Sequence, residues 1–273
     1  LTRAEFDAVA ETANELGIPF AGHVPEDVGV ERALEAGIAT IDHLDGYLQA
    51  LLRPNEDPSG GLGGFFGVFV ADLADDAGID ALARMTADAG TWNVPTESLF
   101  EHVTSPRLPI EELAARPEMK YMPAATVAQW EQAKRDVLND PSYVPATAIR
   151  AIEIRQQLLR AFKEAGAGLL LGSDSPQIFN VPGFALHHEL ELLVEAGLDP
   201  LDALRSGTVN PARFFGVQDR RGQVREGFDA DLVLLDADPI ADISNTRRIH
   251  GVMLAGRWLA RPELDALLER FER

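Results

Sequence analysis

Three residues of this sequence carry side chains suited to metal or proton chemistry. Each falls at the end of a short apolar run: His23 in GHVP, His43 in DHLDG and Asp174 in GSDSP. Two neutral imidazoles and one carboxylate make a hard-to-borderline donor set for a divalent Zn, Mn, Ni or Fe(II) ion. The chain has no cysteine, so disulfides, iron–sulfur clusters and a thiol nucleophile are excluded, and any metal must be held by His and carboxylate. Each residue alone has a plainer reading. A histidine at a strand end is more often a satisfied core or loop residue, and an Asp after Gly-Ser is usually a turn or helix cap. Their joint placement on one edge of one sheet favours a site.

Other residues carry weaker signals. Tyr47, in the turn after His43, either lines a pocket or packs. His102, a few residues beyond the apolar run at 92–96, either reaches substrate or sits on a solvated loop. His187 and His188 precede Glu189, but no second His follows at the spacing of the zinc-protease motif; His188 reads equally well as helix-surface packing. The TVNP at 208–211 starts a helix, with Asn210 as cap and Pro211 in the first turn. His250 has no assigned role.

The elements that must position these residues alternate. Residues 2–16 form an amphipathic helix: Thr2 and Glu5 make a capping box, Phe6, Val9, Ala13 and Leu16 share a face, and Gly17 and Pro19 end it. Then come the run IPFAGHV, a helix over 26–36, and the runs GIATIDHL, TWNVPT and AGLLLGSD, each of these three after a glycine-terminated helix. This rhythm predicts parallel strands with crossover helices, and His23, His43, Glu97 and Asp174 at their C-terminal ends, the edge where α/β folds place chemistry. Two insertions point to the same mouth. Residues 54–66, rich in Gly and Pro, are expected to form a mobile active-site lid with Phe65 and Phe66 covering an apolar pocket, or a plain surface loop. Residues 104–145 carry helices over 110–115 and 126–138. Beyond Gly216 the pattern becomes strand-like with turns, then a short helix over 262–271, which predicts a small β appendage.

The 273 residues, 46% of them hydrophobic, suffice for a large core. Asp and Glu number 44 against 24 Lys and Arg, a net charge of −20 that repels nucleic-acid phosphates and anionic lipid. A small-molecule substrate is expected, with neither nucleic acid nor membrane as partner; self-association is left open. No apolar run approaches the roughly 18 residues of a membrane span. The first residues are charged and helical, so no signal peptide is read; the default location is cytoplasmic, with the compartment left open.

Four stretches in this order, GHVPEDVGVERALEAGIATIDHLDGYL, LLLGSDSP, PGFALHHELELLVEAGLDPLDALRSGTVNPARFFG and GFDADLVLLDADPIADISNTRRIHGVMLAGR, resemble the amidohydrolase superfamily of metal-dependent hydrolases, in its imidazolonepropionase-like or Xaa-Pro dipeptidase-like branch. The resemblance implies an α/β fold, the C-terminal part of a (β/α)8 TIM barrel. Residues 1–216 would hold about strands five to eight, and 217–273 the last strands of a small β-sandwich plus a terminal helix. It implies metal ligation by His23, His43 and Asp174, with Asp174 also taking the proton of the attacking water, and places a family histidine at His187 near the mouth. The expected cofactor is a divalent metal, zinc first, as one or two ions in the complete protein.

The sequence departs from the family pattern in two places. It has no His-x-His pair and no lysine before Lys120, whereas the family's first strand carries the former and its fourth a bridging carboxylated Lys or Glu. The expectation is therefore a C-terminal part of a longer protein. The reading is an enzyme that hydrolyses carbon–nitrogen bonds of amides, cyclic amides, dipeptides or N-acyl amino acids, with deaminase, carbamate and ester hydrolase as runners-up within the family. The alternative is a non-catalytic or incomplete half-barrel.

Overall fold

The computed structural model describes residues 1–53 and 64–272. Helix α1 (Arg3–Leu16) begins where Thr2 Oγ1 accepts from Glu5 N and Glu5 returns a carboxylate to Thr2 N at 2.8 Å. It buries Phe6 and Ala10 and ends at Gly17 in the left-handed conformation. The expected helix over 26–36 is shorter. The amides of Val28 and Gly29 both bond to the Pro25 carbonyl in a turn, and α2 covers only Val30–Glu35.

Strands β1 (Thr40–Asp42), β2 (Trp92–Val94) and β3 (Gly168–Leu169) pair in that order, all parallel. On the free side of β1 the run IPFAGHV contributes a single bridge, Gly22 to Ile41. The four apolar runs thus lie side by side in chain order, but as shorter ladders than the sequence suggests. The close approach of β2 and β3 requires Gly168, since a Cβ there would meet the Trp92 ring at 2.2 Å. The crossover from β1 to β2 passes through α3 (Tyr47–Ala50) and α4 (Ile79–Ala89). The crossover from β2 to β3 runs through α5 (Glu97–Thr104), α6 (Ile110–Ala114), α7 (Ala124–Leu138) and the long α8 (Pro145–Ala165). Packing of α4 on α8, with Leu82, Ala83, Leu158, Leu159 and Phe162 buried, builds the main core behind the sheet.

The insertion after β2 has a core of its own. Leu113, Met119 and Trp130 pack on Phe179 and Val181, which follow Asp174, so this insertion supports the segment that carries the carboxylate. The lid expected over 54–66 lies outside the described residues except for 64–66, and nothing there tests it.

Helices α9 (Phe184–Glu195), α10 (Pro200–Ser206) and α11 (Val209–Phe214) follow. Asn210 is not the cap of α11, as the sequence suggests. It lies inside the helix and its amide donates to the Leu169 carbonyl at 2.8 Å, tying α11 to the end of β3. The strand-like tail forms an antiparallel sheet of β4 (Leu232–Leu235), β5 (Ile249–Leu254) and β6 (Arg257–Ala260), closed by α12 (Arg261–Leu268). No helix among the described residues is long and apolar enough to cross a membrane.

Candidate active site

The parallel strands bring His23, His43 and Asp174 together. The imidazoles of His23 and His43 stack with centroids 4.9 Å apart, and His43 Nε2 lies 3.8 Å from Asp174 Oδ2. The two histidines differ in setting: the His23 side chain is 67% exposed, that of His43 only 6%. Burial, then the neighbouring His23 and Arg155, push the pKa of His43 down to about 4, so the ring is neutral and offers a lone pair at neutral pH. Burial raises the pKa of Asp174, of the neighbouring Asp42, and of Asp45 beside His23.

Each histidine has its Nδ1 engaged. His23 Nδ1 lies 2.7 Å from Asp45 Oδ2, and His43 Nδ1 lies 2.7 Å from Thr96 Oγ1. Such outer partners orient imidazoles that use the other nitrogen. Phe66 stacks on His43 at 4.8 Å and, with His23, Glu26, Asp45 and Gln49, lines a cavity of about 330 Å³.

The backbone here is held in rarely populated conformations. His43, Leu44, Phe66, Thr96 and Asp174 all have φ between 50° and 59°, the left-handed region that costs a non-glycine residue about 1–3 kcal/mol and persists only where the surroundings enforce it. Arg155 of α8 supplies much of that enforcement. Its guanidinium donates to the His43 carbonyl at 2.7 Å, to the Pro95 carbonyl at 2.8 Å and to both carboxylate oxygens of Glu97. Glu189 of α9 accepts from the amides of Glu97 and Ser98, taking the role of N-cap for α5 across space. Glu97 therefore lies beneath the mouth, paired to Arg155, and not in the mouth as strand-end placement suggests.

The lesser candidates lie elsewhere. Tyr47 is fully buried, with its hydroxyl 2.8 Å from Thr86 Oγ1 and its ring edge-on to Phe162; it packs in the core and does not line the cavity. His102 is neither a solvated loop residue nor at the cavity. It is buried on α5 with Nε2 accepting from Arg116 at 2.7 Å. His187 bonds Thr246 and lines a separate, largely apolar space between α9 and the antiparallel sheet. His188 links Glu118 and Arg247. Asp45, Thr96 and Arg155 also hold the site, although their residue types alone do not mark them in the sequence. Only Asp45, two residues after His43 in DHLDG, sits within a recognised motif; Thr96 and Arg155 reach the site through long-range contacts.

The donor chemistry suits a borderline divalent cation, since both imidazoles have Nδ1 tied back and Nε2 left over. Yet among the described residues no group of three or more His, Asp or Glu side chains is close enough to hold a metal ion.

Known proteins resemble the chain in overall fold and over parts of its sequence. Bottromycin amidohydrolase superposes with a TM-score of 0.67 at 26% identity, covering 99% of this chain and 57% of that one. Adenine deaminase of Methanothrix thermoacetophila is 39% identical over 64 residues, 23% of this chain and 10% of its own length. Imidazolonepropionase of Thermoplasma volcanium is 34% identical over 86 residues, 31% of this chain and 20% of its own. The chain spans only part of the length of these relatives. The family model described as Amidohydrolase family matches residues 1–259, and the chain belongs to that family.

Proposed function

We propose that this polypeptide carries the His-His-Asp part of a metal-dependent hydrolase that cleaves a carbon–nitrogen bond of an amide, cyclic amide, dipeptide or N-acyl amino acid. The observation that carries the reading is the stacked pair His23 and His43, each with Nδ1 engaged, beside Asp174. Nε2 of both histidines and the Asp174 carboxylate would hold a divalent cation, zinc first. When bound, such a cation supplies Lewis acidity that acidifies water and polarises a carbonyl. Asp174 receives the proton of the attacking water on a carboxylate oxygen and delivers it to the leaving nitrogen. Asp45 and Thr96 orient the two rings, and Arg155 fixes the backbone of His43. The cavity walled by Phe66, Gln49 and Glu26 would receive part of a small-molecule substrate.

In this reading the parallel strands are the later part of a (β/α)8 barrel, residues 1–216, with 217–273 a β appendage, and further ligands come from outside these 273 residues. The second reading, an incomplete or non-catalytic half-barrel, is favoured by the absence of a closed metal-binding group among the described residues. Metal analysis of purified protein, for these 273 residues and for the chain extended upstream, together with a panel of amide, cyclic amide and N-acyl amino acid substrates, separates the two. The expected outcome is tight metal and hydrolysis with the extended chain, while the 273 residues alone are inactive and oligomeric or poorly soluble. An extended chain that neither retains metal nor hydrolyses any of the panel refutes the enzyme.

A further inference from the structure

Away from the strand ends, α9 carries a second cluster of titratable side chains with His188 at its centre. His188 Nε2 lies 2.7 Å from Glu118 Oε1, in the turn Pro117–Tyr121 of the insertion. Its Nδ1 lies 3.0 Å from Arg247 Nη2, at the end of the turn Ile243–Arg247 that precedes β5. A carboxylate only accepts and a guanidinium only donates, so the neutral ring carries its proton on Nε2 and offers the Nδ1 lone pair to Arg247. Burial opposes the ionised form of Glu118, but hydrogen bonds from His188 and from its own amide outweigh it and hold the carboxyl below its ordinary range. Arg247 also grips Glu191 of α9 through two bonds, at 3.0 and 2.7 Å. On the other side, Arg116 donates to Nε2 of His102, whose ring stands edge-on to His188 at 5.9 Å.

With His188 neutral, Arg116 and Arg247 are balanced by Glu118 and Glu191. Lys134 enters only behind His102, whose carbonyl it bonds, and Glu189 faces α5 instead. Burial and then Arg116 push the pKa of His102 well down, and burial and then Arg247 lower that of His187, which favours the neutral form of both rings.

We propose that His188 is an acid-sensitive clasp, holding the β4–β6 sheet to α9 when neutral and releasing it when protonated. A proton added at Nδ1 replaces the lone pair by an N–H that faces the N–H of Arg247, so that bond is lost, while the bond to Glu118 becomes charge-assisted. The junction then holds three cations against two carboxylates. Arg247, whose side chain is 32% exposed, relieves the excess by swinging into solvent. The position of the turn makes this release felt. Ile243–Arg247 packs on α9, but beside it helix and sheet are parted by a largely apolar cavity of about 1010 Å³, lined by Leu186, Leu190, Met253 and Trp258. Losing Arg247 removes a polar tie at the edge of that gap, the kind of interface that histidine protonation switches.

Hydrogen–deuterium exchange of the full-length protein, corrected for the intrinsic exchange rate at each pH, tests the clasp. From about pH 7.5 to about pH 5.5, within the interval where imidazoles gain their proton, wild-type amides of the turn, β5 and β6 should lose about 10-fold in protection, the effect of one hydrogen bond to a charged group. Those of β1 and β2 should not change. His188→Gln keeps a donor for Glu118 and an acceptor for Arg247 but cannot be charged, so its sheet should stay protected at both pH values. Arg247→Met should be loosened at both. Equal wild-type protection at the two pH values overturns the proposal, as does a His188→Gln protein that loosens on acidification like wild type. Should His188→Gln fail to fold, as read by circular dichroism, Arg247→Met decides: a full wild-type response to acid in that variant overturns the clasp, and a sheet loosened at both pH values supports it.

Discussion

Replacing Arg155 by Met should destabilise the protein more than any conservative core substitution, and the structure sets the scale. The Arg155 and Glu97 side chains are each 3% exposed and 2.8 Å apart. Removing the guanidinium leaves a buried carboxylate without its cation, which costs about 3–5 kcal/mol. It also takes the donor from the His43 and Pro95 carbonyls, adding about 1 kcal/mol each. The sum of about 5–7 kcal/mol rivals the whole stability of a small domain and corresponds to a fall in Tm of about 10–28 °C at this size. Arg155→Lys should recover little, because one ammonium cannot span acceptors on three residues. The double variant Arg155→Met with Glu97→Gln should recover part of the loss, since no uncompensated charge remains. Urea denaturation followed by tryptophan fluorescence, with circular dichroism as a second probe, gives the four corners of the cycle. A loss below about 1 kcal/mol for Arg155→Met, or a double variant as unstable as the sum of the singles, would show that Arg155 does not anchor the ends of β1 and β2.

Asp174→Asn, at a partly exposed position, should leave the Tm almost unchanged while lowering the kcat of the extended enzyme at least about 100-fold; parent-level turnover would remove Asp174 from proton transfer. Burial and the nearby Glu97 raise the pKa of Glu189 to about 8, so the folded state binds more protons than the unfolded state between the unperturbed value and that point. This contribution to stability is complete at acid pH and is lost as pH rises through about 8, with a slope of at most about 1.4 kcal/mol per pH unit. Glu189→Gln should flatten that slope in urea titrations at several pH values, and an unaltered pH profile would refute the assignment. Lys134, fully buried, donates to the His102 and Ser105 carbonyls at the end of α5; Lys134→Met should cost about 2–3 kcal/mol, and an unchanged denaturation midpoint would refute that capping role.

What the sequence determined by itself is the local and the periodic. Thr2, Glu5 and Gly17 set the ends of α1 because capping involves only neighbours within a turn. The alternation of apolar runs with helical segments placed four strand positions in order, and His23, His43 and Asp174 at one edge of them, because strand ends are marked by where apolar patterning stops. Long motifs carried the family resemblance. Tertiary structure alone decided which polar groups meet. Thr96 and His43 are 53 positions apart, Arg155 and the His43 carbonyl 112, Glu189 and the Glu97 amide 92, and no local pattern encodes such pairings. Nor could it separate Tyr47, buried against Phe162, from a pocket residue, or show that His102 and His187 face other surroundings. A side chain's type limits what it can do, but its partners follow from how α5, α8 and α9 pack around the sheet, a sum of many weak contacts that exists only in the folded chain.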